Sequence, residues 1–502
     1  MTRVQLAQQH LQQGRADLAL PLLRQHLELV PDDFIAWKLA GFAWHEEQYE
    51  AEAVHAFSQA AALQPSDAST LMALAQSRFF AGYSAVDHFY QLTTLTPGDL
   101  HAYRGLALAL AADGEQQLAE QLLIQNLAAH PLWLDGHKLL SSMRFTSGDA
   151  GHFTDSYQQA CTQQPQNLTL WLDWFRCYAQ LKQWQKCEQI LGLAEQHCGQ
   201  QLQLTLARLF VAAESGDSIK AALLFAETSQ VQDPLRAMAL TRFQLRHGDV
   251  QAAEQSALPW LETASATVFW PYISLIWRLL GAQSGEQKAK WLDTEPMFVK
   301  AFDLQLSATE LTVLCSVLRS LHKAKAPFAQ QSVRGGTQTD QNILLRHEQP
   351  LQLLKQKLKA AVKSYVEQLP DTVATHPLLG RTRDRALQGR SRFSGSWSTL
   401  LKTQGFNVSH THPSGWISAA LHLEIPAAEQ LGQAPAGWLQ FGAPPTELQL
   451  PLDPQLQHQP QAGTLVLFPS ILWHNTVPFE SGERLTLAFD IEPQPFISGE
   501  PG

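Results

Sequence analysis

Three short segments near the C-terminus carry residue types from which a metal centre can be built. Asn407-Val408-Ser409-His410-Thr411-His412-Pro413 holds two histidines two residues apart, a spacing that a strand points to one face. Phe468-Pro469-Ser470-Ile471-Leu472-Trp473-His474 offers a third imidazole. Gly482-Glu483-Arg484-Leu485-Thr486 places Arg484 ten residues after His474, with Thr486 on the same strand face. Two histidines from one strand and a third from a later strand can make a facial three-ligand site. Imidazole suits Fe, Zn, Cu and Ni alike, so ligand type does not name the metal. An arginine inside a barrel needs an anion, because burying an unpaired guanidinium is costly. Its planar fork meets a carboxylate through two N–H groups. Metal plus buried arginine points to a small acid that chelates the metal at one end and meets Arg484 at the other.

This arrangement resembles the 2-oxoglutarate/Fe(II) oxygenase superfamily, whose pattern is HxD, a distal His, then Arg at the spacing seen here with Ser or Thr two positions on. The resemblance covers roughly residues 390–492. The phrases HTHPSGWISAALHLEIP and GTLVLFPSILWHNTVPFESGERLTLAFDI are most similar to a bacterial group of oxygenase-like proteins. Some of these also carry N-terminal tetratricopeptide (TPR) repeats and a QSxRGGTQT-like segment. The resemblance implies that His410, His412 and His474 bind Fe(II). It implies that Arg484 pairs with the distal carboxylate of 2-oxoglutarate and that Thr486 hydrogen-bonds to it. His422 stands where relatives often have a Tyr touching that carboxylate, or is a wall residue. Asn407 orients the cosubstrate or a ligand, or caps a loop.

One departure matters. The superfamily usually supplies a carboxylate at the position of His412. A neutral ligand there leaves the site one negative charge short. We read a variant site, since the similar group shares His-x-His. Two other readings stay open: a degenerate barrel acting as a TPR scaffold or binding protein, and a three-His dioxygenase that uses no 2-oxoglutarate. The second gives Arg484 no role. His101, His130 and His152 read as structural or surface residues. His458, in QLQHQPQAG, reads as solvent-exposed.

These residues need a β framework, and the chain supplies the pattern. GWISAALHLEIP alternates: Ile417, Ala419, Leu421, Leu423 and Ile425 on one face, Trp416, Ser418, Ala420, His422 and Glu424 on the other. GTLVLFPS and ERLTLAFDI read as further short strands, together suggesting a barrel or jelly roll. Before them, AFDLQLSATELTVLCSVLRSLHK and LLKQKLKAAVKSYVEQL read as helices, the second ended by Pro370. Arg334-Gly335-Gly336, within 327–342, reads as a turn, with an anion-binding nest as the alternative. It lacks the GK[ST] of a phosphate-binding loop.

The first part of the chain repeats. Pro31, Pro65, Pro97, Pro131 and Pro165 are separated by 34, 32, 34 and 34 residues. A period near 34 marks a stacked helix pair. Trp37, Gly41, Tyr49, Ala53, Phe57, Ala60 and Pro65 carry the pattern best and resemble a TPR, strongly over residues 1–166 and weakly beyond. Such arrays present extended surfaces commonly used for binding. The expected partner is a protein or peptide substrate on the concave face.

Length and composition frame the rest. At 502 residues the chain exceeds one core, and 45% hydrophobic with 16% charged residues excludes a disordered chain. The net charge of −10 argues against sequence-independent nucleic-acid binding. Five cysteines without CxxC spacing read as buried thiols. No signal-peptide core or membrane span is apparent, so a cytoplasmic location is expected. The expected architecture is multidomain α + β: a TPR-like α-solenoid over 1–290, a helical connector over 291–385 and a double-stranded β-helix (jelly-roll) domain over 386–495. The expected function is an Fe(II)- and 2-oxoglutarate-dependent dioxygenase hydroxylating a protein or peptide held by the repeats.

Overall fold

The computed structural model describes residues 2–281, 285–294, 298–327 and 331–492. The rest, including 328–330 of the glycine-containing segment and 493–495 of the expected barrel, lie outside the described residues.

The repeat period becomes antiparallel helix pairs, and each Pro-x-Asp/Asn starts the next pair. Asp33, Asp67, Asp99 and Asn167 stand two residues after their prolines and accept a backbone N–H of the following helix. Such a cap is worth about 1 kcal/mol. Trp37 and Trp171 donate from Nε1 to the carbonyls of Pro31 and Pro165, six residues back. In the fifth helix pair His137 takes the same place against Pro131. Gly41 is needed for close approach, since a Cβ there would lie 2.4 Å from the Phe57 ring. Pairs continue beyond the well-marked repeats: Leu168–Gln180 with Trp184–Cys198, Leu202–Ser215 with Ser218–Glu227, and Pro234–Arg246 with Val250–Ala257.

The turn inside each pair holds one residue at positive φ. These are Gly14, Gln48, Gly82, Gly114, Gly148, Lys182, Gly216 and Gly248. A left-handed residue with a Cβ costs about 1–2 kcal/mol, so the two non-glycine positions need a reason. Both touch the C-terminal half. Gln48 exchanges two hydrogen bonds of 2.8 Å with the backbone of Phe393. Lys182 pairs with Glu447. The turns between them do likewise: His347 N–H donates to the Ala81 carbonyl, Lys323 to that of Ala112 and Lys325 N–H to that of Thr146. One edge of the solenoid therefore lies along the C-terminal domain.

That domain is built from two antiparallel sheets. Its strands are β1 (Lys300–Asp303), β2 (Val333–Gln338), β3 (Phe393–Asn407), β4 (Ile417–Glu424), β5 (Leu439–Phe441), β6 (Leu456–His458), β7 (Thr464–Pro469), β8 (His474–Thr476) and β9 (Arg484–Ile491). The larger sheet runs β1-β7-β4-β9-β3-β2 and the smaller β6-β5-β8. The outer face of the larger sheet carries Leu485, Leu487, Phe489 and Ile491 beside Ile417, Ala419 and Leu421. These pack on Leu351, Leu354, Leu358 and Val362 of the helix Gln349–Glu367. Each such Leu, Ile or Phe contributes about 1.5–3 kcal/mol by leaving water. Opposite registers place Ser418, Ala420 and His422 across from Asp490, Ala488 and Thr486, which settles the alternation read in GWISAALHLEIP. A bulge between His422 and Glu424 ends it. Trp416 departs from that face: it sits in the outer core and donates to the Leu378 carbonyl at 2.9 Å.

Two readings of the connector are corrected. Lys300–Asp303, expected to be helical, is a strand paired with β7. The helix begins only at Ala308, where Ser307 and Glu310 form a reciprocal capping box. Arg334-Gly335-Gly336 is neither a free turn nor a nest. It lies in β2 against β3, across a register shift between Arg334 and Gly336. A Cβ on Gly336 would stand 2.3 Å from the Leu400 carbonyl oxygen, so only glycine lets the bulged strand lie this close.

The apolar helix Ala266–Leu280 joins the two halves. Phe269, Ile273 and Ile276 share one buried cluster with Leu448, Ile471 and Trp473 of the C-terminal domain. Among the described residues, no helix is long and apolar enough to cross a membrane.

Candidate metal centre

His410 and His412 do not lie within a strand, as the spacing predicted. His410 makes an isolated two-bond bridge with His474, and His412 follows in the loop before β4. The loop is pinned rather than free: His412 N–H donates to the Ser470 carbonyl at 2.8 Å and Gly415 N–H returns to His412 at 3.0 Å. The imidazoles still converge. Their nearest ligand atoms all lie within 4.8 Å of one another, and the ring centroids are 4.2 to 5.0 Å apart.

The second ring nitrogens settle which atoms are available. His410 Nδ1 lies 2.8 Å from the Val408 carbonyl, and His474 Nδ1 lies 2.9 Å from that of Leu472. A carbonyl can only accept, so both Nδ1 atoms carry the proton and both Nε2 atoms keep a lone pair. His412 Nδ1 lies 2.7 Å from Asp490 Oδ1, which imposes the same tautomer. Burial holds His410 neutral, with its pKa lowered to about 3, and the neighbouring His412 adds to that shift. His474 is pushed down in the same way. Three imidazoles whose Nδ1 atoms are engaged elsewhere and whose ligand atoms share one space, with His410 and His474 held neutral, make a donor set that a divalent transition metal takes.

A pocket opens beside them, lined by the three histidines and by Asn407, Arg484 and Thr486. Small side chains, Ala420 and Ala488, lie between the ends and leave it room. Arg484 is 2% exposed. Burial alone lowers its pKa, to about 10, so it remains a cation. Its Nη1 donates to the Gly437 carbonyl at 2.6 Å and its Nη2 to His422 Nδ1 at 3.1 Å. Since arginine only donates, His422 Nδ1 accepts and His422 Nε2 bears the hydrogen. Among the described residues, Arg484 Nε and His422 Nε2 are both buried without a partner. An orphaned donor on a buried cation calls for an acceptor, and an anionic one suits it best. His422 meets the pocket only through Arg484 and is not in its lining. Asn407 lines the pocket, while its Nδ2 donates to Ser332 at 3.0 Å.

His458 is corrected. It ends β6, half-buried, with its ring 6.1 Å from His422 and nearly parallel to it. Burial and Arg484 lower its pKa. Its Nε2 is likewise buried without a partner among the described residues. His101, His130 and His152 are exposed, as expected. Sequence reasoning missed Asp490, although the alternation Arg484, Thr486, Ala488, Asp490 along β9 places it on the inner face. It also missed Trp473, whose Nε1 donates to Pro271.

Residues 395–490 match the family described as "Putative 2OG-Fe(II) oxygenase". Over those residues the C-terminal domain is similar to this 2-oxoglutarate/Fe(II) oxygenase family, and it follows an array of antiparallel helix pairs. Among solved structures, MamA from Desulfovibrio magneticus RS-1 is 17% identical (TM-score 0.30; 33% of this chain, 98% of that chain). A Pseudomonas putida prolyl-4-hydroxylase is 16% identical (TM-score 0.28; 44% of this chain, 100% of that chain). The viral collagen prolyl hydroxylase of Paramecium Bursaria Chlorella virus-1 is 15% identical (TM-score 0.27; 39% of this chain, 97% of that chain). No curated protein matches the chain.

Proposed function

We propose that the protein is an Fe(II)- and 2-oxoglutarate-dependent dioxygenase that hydroxylates a protein or peptide held by its repeats. In this reading His410, His412 and His474 hold the metal through Nε2. Arg484 and Thr486 hold the distal carboxylate of the cosubstrate, with His422 steadying the guanidinium and Asn407 at the pocket wall. The observation that carries it is the pairing of a three-imidazole cluster with a buried, incompletely satisfied arginine in one pocket. Bound there, the metal and 2-oxoglutarate supply oxidation of a C–H bond coupled to decarboxylation of the cosubstrate.

The chain's own share is positioning and exclusion of water. Carbonyls at Val408 and Leu472 fix two of the rings, so the ligands need no reorganisation on loading. The Phe468 ring, 4.7 Å from His474, covers the site with apolar surface. Arg484, held from behind by Gly437 and His422, presents a preformed cation. The extended helix array supports a macromolecular substrate, since such surfaces are commonly used for binding. The C-terminal domain covers one edge of that array, which leaves the helix faces for a partner.

The test is anaerobic titration of 2-oxoglutarate into Fe(II)-loaded protein, read by the visible charge-transfer band of a chelated 2-oxo acid. A saturable band, absent in His474→Ala and Arg484→Ala, supports the reading. Metal uptake without a band would sink it and favour three-His chemistry.

A further inference from the structure

The replacement of the usual ligand carboxylate by His412 leaves the ligand set uncharged. The fold places a carboxylate one hydrogen bond behind it. Asp490 Oδ1 lies 2.7 Å from His412 Nδ1. The same oxygen is 2.6 Å from Ser418 Oγ, which is 2.9 Å from Ser470 Oγ. Asp490 and Ser418 are direct cross-strand partners on the inner face of β9 and β4. Both acid and imidazole are largely buried, at 14% and 16% side-chain exposure. The contrast within the triad is informative: His410 and His474 lean on neutral carbonyls, and His412 alone leans on an acid.

Local packing is fitted to this contact. Gly415, in the turn after His412, has no room for a side chain: a Cβ would lie 2.5 Å from Ser470 Oγ and 3.4 Å from Asp490 Cβ. Trp416 N–H donates to the Ile491 carbonyl at 2.8 Å, tying the turn to the end of β9. The loop bearing His412 is thus seated on the strand bearing Asp490.

We infer that Asp490 is the acidic member of the metal centre, a positioning residue that acts through His412. It holds the Nδ1–H tautomer, turns Nε2 toward the other two imidazoles and makes that nitrogen a stronger donor. It also returns, one residue removed, the negative charge that His-x-His lacks. This rests on the reading of His410, His412 and His474 as metal ligands.

The test uses the full chain and Co(II) alone, titrated by its visible absorption. Asp490→Asn keeps an oxygen that can accept from His412 and Ser418 but removes the charge. Loss of an acid behind a ligating histidine typically weakens metal binding about 10–100-fold, and that loss is expected here with an unchanged circular dichroism spectrum. Affinity within about twofold of the wild type would overturn the inference and leave the metal reading intact. A wild-type chain that takes up no Co(II) would overturn the metal reading and the inference together. If Asp490→Asn does not fold, nitrogen-edited NMR of the wild-type zinc-loaded chain decides. A strongly downfield, slowly exchanging His412 Nδ1 proton supports the inference, and its absence overturns it.

Discussion

The Trp473 indole donates to the Pro271 carbonyl at 2.8 Å, joining the residue before His474 to the last long helix of the solenoid. Tyr272 packs edge-on against the same indole at 5.5 Å. The strand start that carries His474 is therefore held from outside the β domain. Trp473→Phe removes this tie, a hydrogen bond worth about 0.5–1.5 kcal/mol. Urea unfolding of the full chain should show that loss. Removal of residues 1–290 should leave Leu448, Ile471 and Trp473 uncovered, and size-exclusion chromatography should then find aggregates.

Arg484 and lysine should not be interchangeable. Arg484 uses two fork nitrogens on Gly437 and His422 and retains a third. Arg484→Lys keeps a charge but loses the fork. We expect at least about a tenfold weaker 2-oxoglutarate dissociation constant, or 1.4 kcal/mol, with Co(II) affinity unchanged. Calorimetry measures both, and an unaltered cosubstrate affinity would remove Arg484 from the pocket's function.

Gln48 and Lys182 occupy the same left-handed turn position and should respond oppositely to glycine. Lys182→Gly relieves the backbone and gives up an exposed ion pair worth about 0–1 kcal/mol, so stability should hold or rise. Gln48→Gly relieves the same conformation but strips two buried hydrogen bonds from Phe393, and stability should fall. Thermal midpoints of the two variants check the contrast.

Lys355 lies buried where the connector helix meets the solenoid, donating to the Gln48 carbonyl with its Nζ 4.8 Å from the Tyr49 ring centroid. Burial first, and Lys359 second, lower its pKa to about 7, against the pull of Glu50, Glu52 and Glu47. The unfolded chain then binds more protons than the folded one between about pH 7 and 10.5, so this group makes stability rise with pH across that window. Below pH 7 both states hold the proton and its contribution is flat. The thermal midpoint should therefore rise more from pH 7 to 9 in wild type than in Lys355→Met. Equal changes would assign the effect elsewhere.

Gly336→Ala tests the bulged edge of the larger sheet. Its Cβ would meet the Leu400 backbone, which cannot swing aside as a side chain could. A loss of about 1–3 kcal/mol is expected from overpacking. Denaturant titration would show a smaller value if β2 can shift along β3.

Local periodicity was legible because it is written in neighbouring residues. The spacing of the prolines gave the helix pairs, and the alternation in Ile417–Glu424 gave a strand with one face in the core. Joint spacing of His410, His412, His474 and Arg484 was enough to pick out residues that do line one pocket. Lys300–Asp303 failed because four residues hold no helical or strand period of their own, and β7 decides their state. His458 failed because a polar surrounding sequence hid its seat beside His422.

By itself, then, the sequence determined the repeat array, the main strands and the ligand-type side chains, all through short-range patterns of burial and spacing. The tertiary structure alone decided which ring nitrogens face inward, because their partners are carbonyls and a carboxylate fixed by the backbone path. It alone joined Gln48 to Phe393, residues 345 positions apart, and set Asp490 behind His412. Such contacts form between segments with no common local pattern, so packing of the whole chain is what brings them together.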